Sequence, residues 1–292
     1  MTGWHPRSRV FEIEVPSDTA RSTELLHAHV VDLGPREGPV LVLLHGIAQS
    51  SWAWRMNVEP LARAGFRVVA LCQKGHGWSS RGPGRYDLRA LSEFVLAALD
   101  RLGIHEATWV GSSLGGGVAL WTALHKAERV SRMILLNPAC HIEQFPWPTL
   151  RTQIEALAPV YRALVGPTLL RIPLAAIAYR NLPIDRDYMA GFWAPFVAKG
   201  SMRALVRTAS ALPSAIAELD LHLPEIEQPT LIIWGEKDGL LPVSGGRRLV
   251  QRLPHARLVL IPEAGHCPHE ETPERLNKLV IDFASAGLTS RS

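Results

Sequence analysis

The chain has 292 residues, 47% of them apolar and 20% charged, which is a globular composition with ample material for a core and room for one large domain. Its formal charge of +4 is spread as single arginines, so no basic run or basic–aromatic interleaving points to nucleic acid. No stretch of about 18 apolar residues exists, so no membrane span is expected. Residues 1–9 lack the apolar run of a secretory signal, and the three cysteines (Cys72, Cys140 and Cys267) are odd in number and far apart. A reducing, cytoplasmic setting is the expectation.

Residues 10–15 alternate apolar and polar side chains as a half-exposed strand does, and residues 27–33 read as the partner strand across a turn-rich linker. Val40-Leu41-Val42-Leu43-Leu44 is a continuous apolar run, the pattern of a strand covered on both faces. Strand and helix patterns then alternate: strand 66–71, helix 88–102, strand 107–110, helix 114–126 and strand 132–136, which ends at Asn137-Pro138. From about residue 139 to 223 the alternation stops. Apolar, helix-like stretches are broken there by prolines, Pro195 and Pro213 among them, and the segment carries Phe145, Trp147, Phe192, Trp193 and Phe196. It reads as a mostly helical insertion, a cap, between core segments 1–138 and 224–292. Strand 229–234, helix 243–253, strand 257–261 and helix 274–283 complete the chain, with a frayed tail at 288–292. The order implies an α/β fold: a mixed, mainly parallel sheet with helices on both faces.

The run Gly111-Ser112-Ser113-Leu114-Gly115 lies between a strand and a helix. A serine on so tight a turn needs neighbours without bulky side chains two residues either side, and only Ser113 has them. The helix that follows aims its free N–H groups at an oxyanion forming beside that serine. A serine hydroxyl also needs a base and an orienting acid. Asp238 and His266 each follow a predicted strand, and loops at the carboxyl ends of parallel strands converge on one edge of a sheet. Glu236 is the acid's near neighbour, and His269 is a weak rival base expected at a helix start or in solvent.

With these motifs the chain resembles the capped, esterase-like α/β-hydrolases over nearly its whole length. His45-Gly46 follows the third strand, Gly75-His76-Gly77-Trp78-Ser79 matches a family turn, and the elbow, acid and histidine loops occur in the family's order. The resemblance implies a Ser113–His266–Asp238 triad and an oxyanion hole made by the backbone N–H groups of Ile47 and Leu114. Some relatives carry the acid where this chain has Asn137, and many carry aspartate where it has Cys72. His45 and His76 are expected to be structural, and Cys267 buried and inert. Phe192 and Trp193 either line an acyl pocket or pack the cap. No metal-type His or Cys spacing is present, and no cofactor is implied. The activity implied is hydrolysis of a small or medium apolar carboxylic ester or lactone, with a small molecule as the only expected partner. A carbon–carbon hydrolase, lyase, perhydrolase or cyclase could use the same elbow, and a ligand receptor could use the same scaffold. Carbon–carbon hydrolases often have a more glycine-rich loop than Ile47-Ala48-Gln49-Ser50, which places that option lower.

Overall fold

The computed structural model describes residues 3–16, 23–140 and 178–286. Among them, eight strands form one sheet: β1 (Ser8–Pro16), β2 (Thr23–Leu33), β3 (Val40–Leu44), β4 (Arg67–Leu71), β5 (Ala107–Ser112), β6 (Val130–Leu136), β7 (Thr230–Gly235) and β8 (Ala256–Ile261). Their spatial order is β1-β2-β4-β3-β5-β6-β7-β8. β1 pairs antiparallel with β2, and β2 antiparallel with β4; every later pairing is parallel.

The apolar runs are buried on both sides because successive side chains alternate between faces. Leu41 and Leu43 of β3, with Val68 and Ala70 of β4, meet Leu61 of helix α1 (Val58–Arg63) and Leu276 and Val280 of the terminal helix on one face. Val42, Leu44, Val69 and Leu71 point the other way, into a larger core. That core includes Leu88 and Phe94 of α2 (Leu88–Arg101) and Val118 of α3 (Leu114–His125). Asp87 opens α2 by accepting the Ala90 N–H at 2.9 Å, an N-cap bond.

Between β6 and β7 the described chain forms α4 (Arg186–Phe196) and α5 (Ser201–His222). The part of the expected cap at 141–177, with Phe145 and Trp147, lies outside the described residues. Pro195 and Pro213 were expected to break helices, but both lie inside them. α5 tolerates Pro213 because Ala209, Leu212, Ala215, Ile216 and Leu219 recur at helical spacing and are buried. Four of these (Leu212, Ala215, Ile216 and Leu219) join the larger core, and that burial outweighs a proline cost of about 3 kcal/mol. Pro195 sits in the last turn of α4, and its carbonyl accepts from Arg81 at 3.1 Å and from the Ser201 hydroxyl at 3.0 Å. The remaining helices are α6 (Ser244–Arg252), α7 (Pro268–Glu271) and α8 (Pro273–Ser285).

α3 lies tight against the sheet. A Cβ on Gly115 would stand 2.3 Å from the Leu44 carbonyl oxygen, whereas one on Gly103 would meet open space. Gly115→Ala is therefore expected to cost about 3 kcal/mol or more in urea unfolding. Gly103→Ala, which carries only the penalty of a positive φ, should cost about 1–2 kcal/mol. Equal costs for the two would contradict this packing.

Candidate active site

Ser113 stands between β5 and α3 with φ 51° and ψ −112°, a conformation rare for a residue with a side chain. The surrounding backbone over-determines it. Ser113 N–H donates to Leu136 at 2.9 Å, and its carbonyl accepts from Gly116, Gly117 and Ala139. A Cβ on Gly111 would approach the Gly115 oxygen to 2.3 Å, so the turn closes only with glycine there. Ser112 is fully buried and Ser113 is not; Ser113 borders a cavity of about 250 Å³.

His266 borders the same cavity. Its Nδ1 lies 2.8 Å from Asp238 Oδ2. The other carboxylate oxygen accepts the N–H groups of Leu240 at 2.7 Å and Leu241 at 2.9 Å. Burial alone would raise the Asp238 carboxyl, but the His266 charge and hydrogen bond, with these two N–H groups, hold it below the ordinary value. Ionised Asp238 keeps the imidazole proton on Nδ1, which leaves Nε2 as the basic atom. The two loops are in direct backbone contact. A Cβ on Gly235 would lie 2.0 Å from the Gly265 carbonyl, and Lys237 N–H donates to Ala264 at 3.0 Å. Glu271 fixes the histidine loop by accepting the N–H groups of Gly265, Cys267, Arg180 and Asn181 at 2.7–3.1 Å.

The loop after β3 completes the rim. His45 Nε2 accepts the Gln73 N–H at 3.2 Å, so its Nδ1 carries the proton and donates to Gly46 at 2.7 Å. Ala48 adopts φ 64°. Ile47 and Leu114 both line the cavity, and neither N–H meets an acceptor among the described residues. The remaining described wall is mainly apolar, with Leu212, Leu240 and Leu241, and Gln49, Tyr179 and Cys267 form a polar end.

Several expected residues are placed differently or more sharply than the sequence suggested. His269 stands at the start of α7, one of its two expected places, and there it is fully buried, its ring 4.4 Å from that of Trp54; burial first, then the charge of Arg55, pushes its pKa well down. Phe192 lines the cavity, while Trp193 packs in the adjoining apolar cluster. Cys267 is buried, with a thiol pushed well above its ordinary pKa. Cys72 is also buried, yet it is more than a small hydrophobe, accepting from Ser51 N–H at 3.3 Å and donating to its hydroxyl at 3.2 Å. Glu236 is exposed. Among the described residues no group of three or more His, Cys, Asp or Glu could hold a metal, and no helix is long and apolar enough to cross a membrane.

Asn137, the uncharged residue at the position where some relatives carry the acid, contacts the acid itself. Fully buried at φ 42°, it donates from Nδ2 to Asp238 Oδ2 at 2.5 Å and accepts the Gly235 N–H at 3.3 Å. Its place at the end of β6, opposite the acid loop, was the available signal.

The sequence profile of the alpha/beta hydrolase fold family matches residues 39–273. The chain belongs to that family. It is 32% identical over 269 residues to a hydrolase of Burkholderia vietnamiensis, named for 2-hydroxy-6-oxononadienedioate and 2-hydroxy-6-oxononatrienedioate, covering 88% of this chain and 91% of the relative. Among solved structures, a thermophilic esterase from Thermogutta terrifontis superposes with TM-score 0.79 at 22% identity, covering 95% of this chain and 98% of the esterase, and so supports the fold alone. The enol-lactonase of Burkholderia xenovorans LB400 superposes with TM-score 0.75 at 26% identity, covering 89% of this chain and 97% of the lactonase.

Two outcomes are expected for this hydrolase. Asn137→Ala removes a buried donor to a charged acceptor, worth about 1.5–3 kcal/mol, so steady-state turnover should fall about tenfold or more; unchanged turnover would show that Asp238 is held without it. Second, burial lowers the pKa of His29 to about 4, His45 to about 3 and His76 to about 4. The unfolded chain protonates these residues near 6.5 while the folded one does not, so their contribution to stability falls as pH drops from 6.5 toward 4 and is flat above about 7. Asp238, with its lowered carboxyl, is ionised throughout that window and does not offset the loss. Urea unfolding at pH 5.5 should show a loss on the order of 1 kcal/mol per histidine relative to pH 7.5; identical midpoints would refute the account.

Proposed function

We propose that this hydrolase cleaves a small or medium, neutral, apolar carboxylic ester or lactone by acyl transfer through Ser113, His266 and Asp238. The observation that carries the reading is a strained, cavity-facing serine and a carboxylate-oriented histidine on the rim of one largely apolar cavity. Ser113 Oγ attacks the acyl carbon as His266 Nε2 takes its proton. The carbonyl electrons move onto the oxygen, where the N–H groups of Ile47 and Leu114 receive them. His266 then gives the proton to the departing alkoxide. Water, deprotonated by His266, attacks the acyl-enzyme and releases the acid and Ser113. Residues 139–223 act in this reading as the cap over the cavity, with Tyr179 and Phe192 in its wall. The three free, buried cysteines support a reducing, cytoplasmic setting. The enol-lactonase at 26% identity is a precedent for lactone chemistry on this scaffold.

The name of the Burkholderia vietnamiensis relative favours a second reading. The dioates in that name contain a ketone and carboxylates but no ester, so their hydrolysis breaks a carbon–carbon bond beside a carbonyl. Against it, the described cavity wall holds no Lys or Arg to receive a carboxylate.

Hydrolysis of p-nitrophenyl esters of graded acyl length, alongside a 2-hydroxy-6-oxo-dienoate, decides between the two. Wild type should cleave short or medium esters, and Ser113→Ala should lose on the order of 10⁶-fold in kcat. Turnover of the dienoate without any ester would transfer the assignment to carbon–carbon cleavage.

A further inference from the structure

The polar end of the cavity is organised around a carboxylate that acyl transfer does not use. Glu270 is buried and paired with the guanidinium of Arg55. It also accepts from the Tyr179 hydroxyl at 2.7 Å and from Gln49 Nε2 at 3.1 Å. The Tyr179 hydroxyl lies 2.6 Å from that of Tyr188 on α4. Burial raises the Glu270 carboxyl, and Arg55, followed by the hydrogen bond from Tyr179, draws it back.

Gln49 connects this cluster to the loop that carries Ile47. Its Oε1 accepts the Gly46 N–H at 3.0 Å. A Cβ on Gly46 would lie 2.9 Å from that oxygen and 3.3 Å from Ser113 Cβ, so amide, loop and nucleophile are in contact layers. The orientation of the amide is dictated: Nε2 must face the carboxylate, since a flip would set two acceptors against each other. Between Gly46 and Gln49, Ala48 holds a left-handed conformation costing about 1–2 kcal/mol, which persists only if neighbouring bonds enforce it.

We propose that Gln49 is a positioning residue that holds Gly46, and through it the Ile47 N–H of the next peptide, and that Glu270 and Tyr179 set its geometry, coupling the α4 side of the cavity to oxyanion stabilisation. The inference rests on the acyl-transfer reading above. Oxyanion donors act on the transition state more than on bound substrate, so loosening their peptide lowers kcat and leaves KM nearly unchanged.

The test compares wild type with Gln49→Met, similar in length but without the amide, and with Tyr179→Phe, which loses one hydroxyl. The readouts are kcat and KM on the preferred p-nitrophenyl ester, inhibition by the matching trifluoromethyl ketone, labelling of Ser113 by a fluorophosphonate, and the unfolding temperature. The ketone adds to Ser113 and places an oxyanion in the hole. Gln49→Met should lose about 10- to 100-fold in kcat, hold KM within about threefold, and lose ketone affinity by a similar factor. Tyr179→Phe should lose about threefold in kcat and in ketone affinity together; it carries the test alone if Gln49→Met does not fold. An unchanged kcat, a rise in KM alone, or a fall in kcat with ketone affinity intact overturns the proposal. A wild type that neither cleaves esters nor takes the label overturns the acyl-transfer reading and this inference with it, whereas active wild type with unaffected variants overturns this inference alone.

Discussion

Backbone-to-backbone contact at the carboxyl edge of the sheet is the constraint on which the site depends. Gly115 lies against the Leu44 carbonyl, Gly111 against the Gly115 carbonyl, and Gly235 against Gly265. Each contact removes the space of a side chain. Two of them draw together segments that are remote in sequence, β3 with α3 and the acid loop with the histidine loop, and the third folds β5 directly onto the start of α3 around Ser113. The 2.8 Å bond between Asp238 and His266 follows from the contact of the acid and histidine loops. Strain at Ser113, Ala48 and Asn137 is concentrated along the same edge, where hydrogen bonds hold it in place.

What could be read in the chain was what is local. The buried strands are short apolar runs, and the elbow is a five-residue pattern whose glycines have steric reasons. Asp238 and His266 could be placed because each closely follows a strand, and strand ends of a parallel sheet share one edge. Side-chain environments assembled from distant segments could not be read. A helix start was legible for His269, but its burial was not, because nothing near it in sequence announces Trp54. Glu270 and Glu271 are charged side chains of a kind usually exposed. They are buried because Arg55, 215 residues before Glu270, and the loop N–H groups meet them. α1 is six residues long with Pro60 inside it, too short for a periodic signal. Pro195 and Pro213 misled for the opposite reason, since tertiary burial decided against a local rule.

Asn137 carries a related lesson about the acid. Asn137 at the end of β6 and His266 after β8 meet the same oxygen, Oδ2 of Asp238, and of the two facing side chains at the ends of β6 and β7 only Asp238 is a carboxylate. A second carboxylate at that distance would compete with Asp238 for the imidazole and raise its pKa. The neutral amide instead donates a hydrogen bond and accepts the Gly235 N–H, so it reinforces both the charge on Asp238 and the course of the loop that carries it.

The placement of α5 limits how this enzyme can breathe. Leu212, Ile216 and Leu219 are shared with the main core. Peeling them away would expose three large side chains at about 1.5–3 kcal/mol each. That sum approaches the entire stability of an ordinary domain. Separation of α5 is therefore an unfolding event, far too infrequent to time a catalytic cycle. Traffic of substrate and product must proceed with α5 seated, so the rate of passage is decoupled from the cohesion of the core.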